Sequence, residues 1–244
     1  MKKTIGRIYI LIIMLFLYLP ILALIVLSFN ESKSMSVWGG FSLRWYQDLF
    51  RSRIMMGAIA NTFSIAILAA LIATIVGTIA VLGMASMKSR TQNVLLGFNN
   101  IPMLNPDIIT GVSLFLLFVF LHISQGYMTV VLAHITFCTP YVVLNVLPRL
   151  TQMNPNIYEA ALDLGATPFQ ALRKVLLPLL KPGMISGFIL AFTMSLDDFA
   201  VTFFTRGTIG LDTLSTYIYT DARKGGLTPE LRPLITLMFV GILI

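Results

Sequence analysis

A chain carrying six long apolar runs has little choice of environment. In this 244-residue sequence the runs fall at 8–29, 59–87, 95–121, 127–147, 184–204 and 231–244. The first five reach the ~20 residues that a bilayer-crossing helix needs; the last, about 14 residues long, stops short of it. In hydrocarbon every backbone N–H and C=O must find its partner within the protein. Such runs therefore form helices, and the turns between them are driven to the two membrane faces. Only 11% of residues are charged and the mean hydropathy is +0.88, against about 25% charged in soluble domains. The sequence predicts an all-α integral membrane protein of six transmembrane helices, folded as a single domain over 1–244.

The start, "MKKTIGR", puts Lys2, Lys3 and Arg7 before the first run. That run is too long for the h-region of a signal peptide and no small-x-small cleavage site follows, so it reads as an uncleaved first span entering from the cytoplasm. An even number of spans then leaves both termini cytoplasmic. Lys and Arg divide almost evenly between the two faces. Those assigned inside (Lys88, Arg90, Arg149, Arg173, Lys174, Lys181) sit at span ends, as the positive-inside rule expects. The net charge of +7 is explained in the same way and does not call for nucleic acid. Cys138 is alone, and His122 and His134 have no partner at ligand spacing, so the sequence offers neither disulfide nor metal site. Both histidines read as ordinary helix or loop residues. The outer loop 30–56 holds the amphipathic stretch "SLRWYQDLF", and the loop's Trp38, Trp45 and Tyr46 suit either a membrane interface or loop packing. The second run is full of small residues, which allow helices to approach closely in lipid. The third is broken near its start by "NNIPMLNPD".

Between the fourth and fifth runs lies a polar block. Asn154 and Pro155 supply an N-cap and first-turn proline for a helix that Gly165 can end. Thr167 and Pro168 restart the pattern, and a second helix runs to about Leu177 before Pro178 and Pro182 end it. Phe169, Leu172, Leu176 and Leu180 recur at helical spacing and can lie against the spans. The first helix carries Glu159 and Asp163 one turn apart, with Ala160, Ala161 and Ala166 around Gly165. Small side chains on a projecting, capped helix let a partner protein approach the backbone closely. A DNA-binding helix-turn-helix is excluded, because the block is anchored in the bilayer at both ends and its first helix is acidic.

"EAALDLGATPFQALRKVLLP" resembles the EAA loop of binding-protein-dependent ABC importer permeases: Glu-Ala-Ala, three residues, Gly, nine residues, then Ile-x-Leu-Pro. Glu159, Ala160, Ala161, Gly165, Leu177 and Pro178 fit, and Val175 stands in place of Ile. Together with "SLDDFAVTFF", the chain is similar over its whole length to permeases of spermidine/putrescine systems. The resemblance implies the type I (MetI-like) permease fold and a bacterial inner-membrane location. It makes 154–178 a cytoplasmic coupling segment in which Glu159, Ala160, Ala161, Asp163 and Gly165 dock on an ATPase. No phosphate-binding loop of the G-x-x-x-x-G-K-[ST] type occurs here. ATP and Mg are then expected on two partner ATP-binding subunits, with a second homologous permease and a periplasmic polyamine-binding protein completing the assembly. The chain itself is expected to be no enzyme and to hold no cofactor.

A polyamine moving through a membrane needs carboxylates, carbonyls and aromatic faces in place of water. Asp197 and Asp198 lie within the fifth run and Asp107 beside the broken third. Neighbours on a helix point about 100° apart, so one of the pair can face substrate while the other takes a protein partner. Tyr219, in "YIYTDARKGG", is a weaker pathway residue. Two other readings remain: an ABC permease for another cation or small solute, and an ion-coupled secondary transporter. The second would show inverted repeats and paired broken helices, and no repeat is evident.

Overall fold

Along the middle of the longest helix a stripe of alanines is buried and a stripe of large apolar residues is exposed. Ala66, Ala69, Ala70 and Ala73 are fully buried, whereas Ile67, Leu71, Ile75 and Ile79 are exposed by 43%, 47%, 57% and 64%. In lipid the hydrophobic effect does not distinguish these faces. Close backbone contact does, and small residues permit it.

The computed structural model describes residues 2–154, 156–208, 211–224 and 228–243. The described residues are helical in every regular element: α1 (Lys2–Ser28), α2 (Arg44–Arg51), α3 (Arg53–Ala85), α4 (Ser89–Leu104), α5 (Asp107–Phe120), α6 (Tyr127–Thr151), α7 (Asn156–Asp163), α8 (Pro168–Ala171), a π-helical turn (Leu172–Leu176), α9 (Leu177–Asp197), α10 (Ala200–Thr205), α11 (Leu214–Arg223) and α12 (Leu231–Leu243). Four helices are long and apolar enough to cross a membrane, or five if the bent pair α4–α5 counts as one span. α12 supplies the shorter sixth apolar helix, in the expected order. The ends of the chain lie partly outside the described residues, as does Pro155, assigned from the sequence to the first helical position of the polar block.

Two compact units are present, 1–59 with 217–244, and 60–216; α3 and α11 run through the boundary. In the first, α1 exposes apolar side chains on all sides, Phe16 by 78%, and Tyr18 meets Phe239 of α12 edge-on at 6.4 Å. The amphipathic stretch expected within the outer loop forms α2. Trp45 and Leu49, one turn apart, are buried, and the Trp45 Nε1–H donates to the Asn30 carbonyl at 2.8 Å. Trp45 is therefore a core residue and not a membrane-interface one.

In the second unit α6 is the central helix. Gly183 and Gly187 of α9, at the small-xxx-small spacing, face Val142, Asn145 and Val146 of α6, and Gly77 of α3 faces Val142 from elsewhere on the same helix. A Cβ at Gly183 would stand 2.9 Å from the Asn145 carbonyl oxygen, a backbone atom that cannot swing aside. Gly183→Val is expected to lower stability by about 2 kcal/mol through overpacking, seen as reduced thermal unfolding temperature in detergent. Gly97→Ala in α4, where a Cβ meets nothing within 4 Å, should not lower it.

The third run breaks at Pro106, while Pro102 stays inside α4, and the two helices are bent by 105°. A residue before proline avoids helical geometry; Asn105 is extended (φ −84°, ψ 141°) and Asp107 opens α5. Three expectations need correction. Pro178 and Pro182 do not end the second helix of the polar block: they lie inside a continuous helical stretch from Pro168 to Asp197, 30 residues long. Each proline removes one N–H donor, and the wide turn at Leu172–Leu176 immediately precedes them. The fifth run is also shifted and interrupted: α9 stops at Asp197, Asp198 is extended (φ −60°, ψ 132°), and α10 follows. The connection 205–230 is not loop throughout, since α11 occupies Leu214–Arg223.

Candidate functional site

The polar block folds as a short helix, α7, followed by the start of the 30-residue helical stretch, with the turn between them closed locally. At the end of α7, Ala166 N–H donates to the Ala161 carbonyl at 3.1 Å and Gly165 N–H to that of Leu162 at 2.8 Å. This is the Schellman arrangement, and it requires the left-handed backbone that Gly165 adopts at φ +86°. The next helix starts with a reciprocal capping box: Gln170 N–H to Thr167 Oγ1 at 3.3 Å, and Thr167 N–H to Gln170 Oε1 at 3.0 Å. At the start of α7 Asn156 N–H donates to Asn154 Oδ1 at 3.0 Å, so local bonds hold both ends of the helix. Glu159, Ala160, Asp163 and Gly165 are exposed and Ala161 is half-buried. Leu164, at the tip, is 90% exposed, an apolar side chain offered directly to the surroundings.

Beneath the block is a cavity of about 870 Å³. Tyr158, Phe169, Leu172 and Leu176 line it from the block, with Leu82 and Leu150 from the ends of α3 and α6. Of the apolar positions read from the sequence, Leu180 alone is fully buried, while Phe169, Leu172 and Leu176 border this space.

The other end of the same helical stretch carries the acids. Asp198 is turned into the protein, its side chain 5% exposed. It accepts from Val201 N–H at 3.2 Å, Thr202 N–H at 2.8 Å and the Thr202 hydroxyl at 2.8 Å, so the carboxylate caps the start of α10. His134 of α6, 1% exposed, brings Nε2 to 3.4 Å from Asp198 Oδ2 and 2.9 Å from Thr202 Oγ1. Because the Thr202 hydroxyl gives its hydrogen to Asp198, its oxygen accepts from His134 Nε2–H; in the neutral ring Nδ1 then accepts from the Ser195 hydroxyl at 2.6 Å. The Asp198 carbonyl accepts a further bond from Ser215 Oγ at 2.6 Å. Every oxygen of Asp198 is thus engaged by the protein.

Asp197 is exposed, on the opposite side of the break. Asp107, exposed in the first turn of α5, is close enough for its charge to act on Asp197 and on the Tyr141 hydroxyl of α6. Neither Asp107 nor Asp197 has an ion-pair partner among the described residues. Of the acids named from the sequence, Asp107 and Asp197 are exposed and within electrostatic reach of each other, whereas Asp198 is set into a protein network. Tyr219, on α11, is 40% exposed with the Arg223 guanidinium 5.8 Å from its ring centre. His134 and Tyr141 are the residues the sequence reading missed. Nothing local marks either one, since the partners of His134 lie 61 and 68 residues away in the chain. Among the described residues no three His, Cys, Asp or Glu side chains converge as metal ligands.

Comparison with known proteins bears on both ends of this helical stretch. Residues 73–244 match the family model described as "Binding-protein-dependent transport system inner membrane component". The chain is 42% identical over 230 residues to the putrescine transport system permease protein PotI of Escherichia coli (strain K12), covering 91% of this chain and 81% of that relative. It is 40% identical over 225 residues to the spermidine/putrescine transport system permease protein PotC of Haemophilus influenzae, covering 92% and 87%. Among solved structures, one chain of a bacterial ABC transporter involved in the import of the acidic polysaccharide alginate superimposes with a TM-score of 0.82. It covers 99% of this chain and 92% of that one at 13% identity, a likeness of fold alone.

Proposed function

This chain belongs to the inner-membrane components of binding-protein-dependent transport systems, and from that premise we propose that it is a permease subunit of an ATP-driven polyamine importer. It is a transport component and not an enzyme. The observation that carries the cargo is the 40–42% identity, over more than nine-tenths of the chain, to permeases named for putrescine and spermidine. The chemistry of the acids agrees: Asp107 and Asp197 present exposed carboxylates with no ion-pair partner among the described residues, which favours an ammonium group over an anion.

In this reading 1–244 is one transmembrane permease domain with both termini in the cytoplasm. It pairs with a second homologous permease, two ATP-binding subunits that hold ATP and Mg, and a periplasmic polyamine-binding protein. The 154–178 segment is the cytoplasmic coupling element. Glu159, Ala160, Ala161, Asp163 and Gly165 dock on the ATPase, and Leu164 adds an apolar contact. Pro168–Asp197 then acts as a lever of about 45 Å, at 1.5 Å per residue. Closure of the ATPases around ATP displaces α7 and α8; the continuous helix carries that displacement to the break at Asp198. Asp198, fixed by His134 and Thr202, positions the break, and Asp197 and Asp107 contact the passing cation. Tyr219 stands as a pathway residue of lesser weight.

The cargo is tested by uptake of radiolabelled spermidine into proteoliposomes holding the complete complex and its binding protein. Excess unlabelled putrescine should compete and excess of a neutral amino acid should not. Competition by the amino acid but by no polyamine would discard the cargo while leaving the transporter.

A further inference from the structure

We propose that the cavity between the coupling segment and the span ends is a lipid site. It takes one acyl chain of an anionic phospholipid, whose phosphate lies among Lys88, Arg90, Arg149, Arg173 and Lys174. This rests on the importer reading above, which puts this end of the spans at the cytoplasmic leaflet.

The lining selects the occupant. The space of about 870 Å³ is walled largely by apolar side chains, Leu82, Leu147, Phe169 and Leu172 among them, and none of its lining residues is charged. Its volume falls within the range of ligand pockets, about 300–1,000 Å³. A polyamine, a nucleotide or a bare phosphate would meet no counter-charge inside, and burying an unpaired charge is costly. A hydrocarbon chain gives up no hydrogen bond by entering. Ser86, Gln92 and Tyr158 add uncharged polar groups, suited to the ester and glycerol part of a lipid.

The charge lies at the edge. Of the six basic residues at the inner span ends, five lie within two residues of a lining position. Lys88 and Arg90 stand between Ser86 and Gln92, Arg149 beside Leu150, and Arg173 and Lys174 between Leu172 and Leu176. All five are exposed, and none has an acidic partner among the described residues. The segments that carry them, 82–92, 147–154 and 168–176, contain no acid. Glu159 and Asp163 belong to α7, which lends the cavity only Tyr158. The positive-inside rule accounts for basic residues at this face, but not for five of them adjoining one apolar space. A chain entering from the bilayer exchanges one apolar setting for another, so the choice of lipid falls to the headgroup. Clustered Lys and Arg between spans select an anionic one. Held in this way, the lipid joins Phe169 and Leu172 of the coupling segment to the ends of α3 and α6.

The test uses the complete complex in nanodiscs of equal parts phosphatidylglycerol and phosphatidylcholine. Phe169 lines the cavity and is 67% exposed, so a photoreactive phenylalanine analogue replaces it at little cost in packing. Each Lys or Arg beside an anionic headgroup contributes about fivefold in affinity. Phosphatidylglycerol should therefore be captured about twentyfold more often than phosphatidylcholine. Arg173→Gln combined with Lys174→Gln should cut that preference by about fivefold or more. A second measurement needs no substitution: phosphatidylglycerol added to the unmodified complex in detergent should raise its unfolding temperature, and phosphatidylcholine should not. Capture of the two lipids in equal amounts, capture of an ATPase subunit alone, or equal thermal effects of the two lipids would overturn the proposal. Neither measurement uses ATP, binding protein or polyamine. Failure of the importer reading shows elsewhere, as an unmodified complex whose ATPase ignores the binding protein.

Discussion

Glu159→Lys abolishes ATP-driven uptake and leaves the chain in the membrane. Glu159 is exposed on a helix whose two ends are held by local bonds, so reversing its charge does not unfold α7. The effect falls on whatever α7 touches. Like charges placed together across an interface cost several kcal/mol, and about 3 kcal/mol is more than a hundredfold in affinity. The expected result is a drop of about a hundredfold in uptake, with ATPase subunits lost from the purified complex or still bound but unresponsive to the binding protein. Normal uptake would remove α7 from the coupling path.

The second large effect separates the two adjacent acids. Asp197→Asn keeps size and polarity and removes only the charge, on a side chain that is exposed and without an ion-pair partner among the described residues. Uptake should fall by about 30-fold, which corresponds to ~2 kcal/mol of lost attraction for a cation, with thermal stability unchanged. Asp198→Asn should do the reverse in kind. Its Oδ2 accepts from both the backbone and the hydroxyl of Thr202; an amide placed there brings N–H against N–H or gives up the cap. A buried group left without its partner costs about 1–3 kcal/mol, so the complex should unfold at lower temperature and uptake should fall with it. Asp197→Asn proteins that transport normally would remove Asp197 from the pathway. Equal stability of Asp198→Asn and the unmodified protein would contradict the cap.

The polar block was legible because its geometry is local. Gly165 ends a helix by its backbone, Thr167 and Gln170 cap one another within a single turn, and Asn105–Pro106 breaks the third run by the steric rule for residues before proline. The acids were legible as residue types and not as roles. Which of Asp197 and Asp198 faces the protein depends on where α9 stops. That in turn depends on His134, Ser195 and Thr202 coming together across more than 60 residues of chain. No periodicity carries such information. Pro178 and Pro182 misled for a related reason. In water they would end a helix, but a membrane helix is held by its neighbours, here by α6 against Gly183 and Gly187. Trp45 illustrates the same limit: its place in the core comes from the Asn30 carbonyl, 15 residues away.

The central claim is that this chain converts motion of a partner ATPase into passage of a polyamine. The most direct measurement is radiolabelled spermidine uptake by proteoliposomes containing the purified complex, with binding protein outside, with and without ATP inside. Uptake that requires both ATP and binding protein is the predicted result. Uptake that follows an imposed ion gradient with no ATPase present would contradict it.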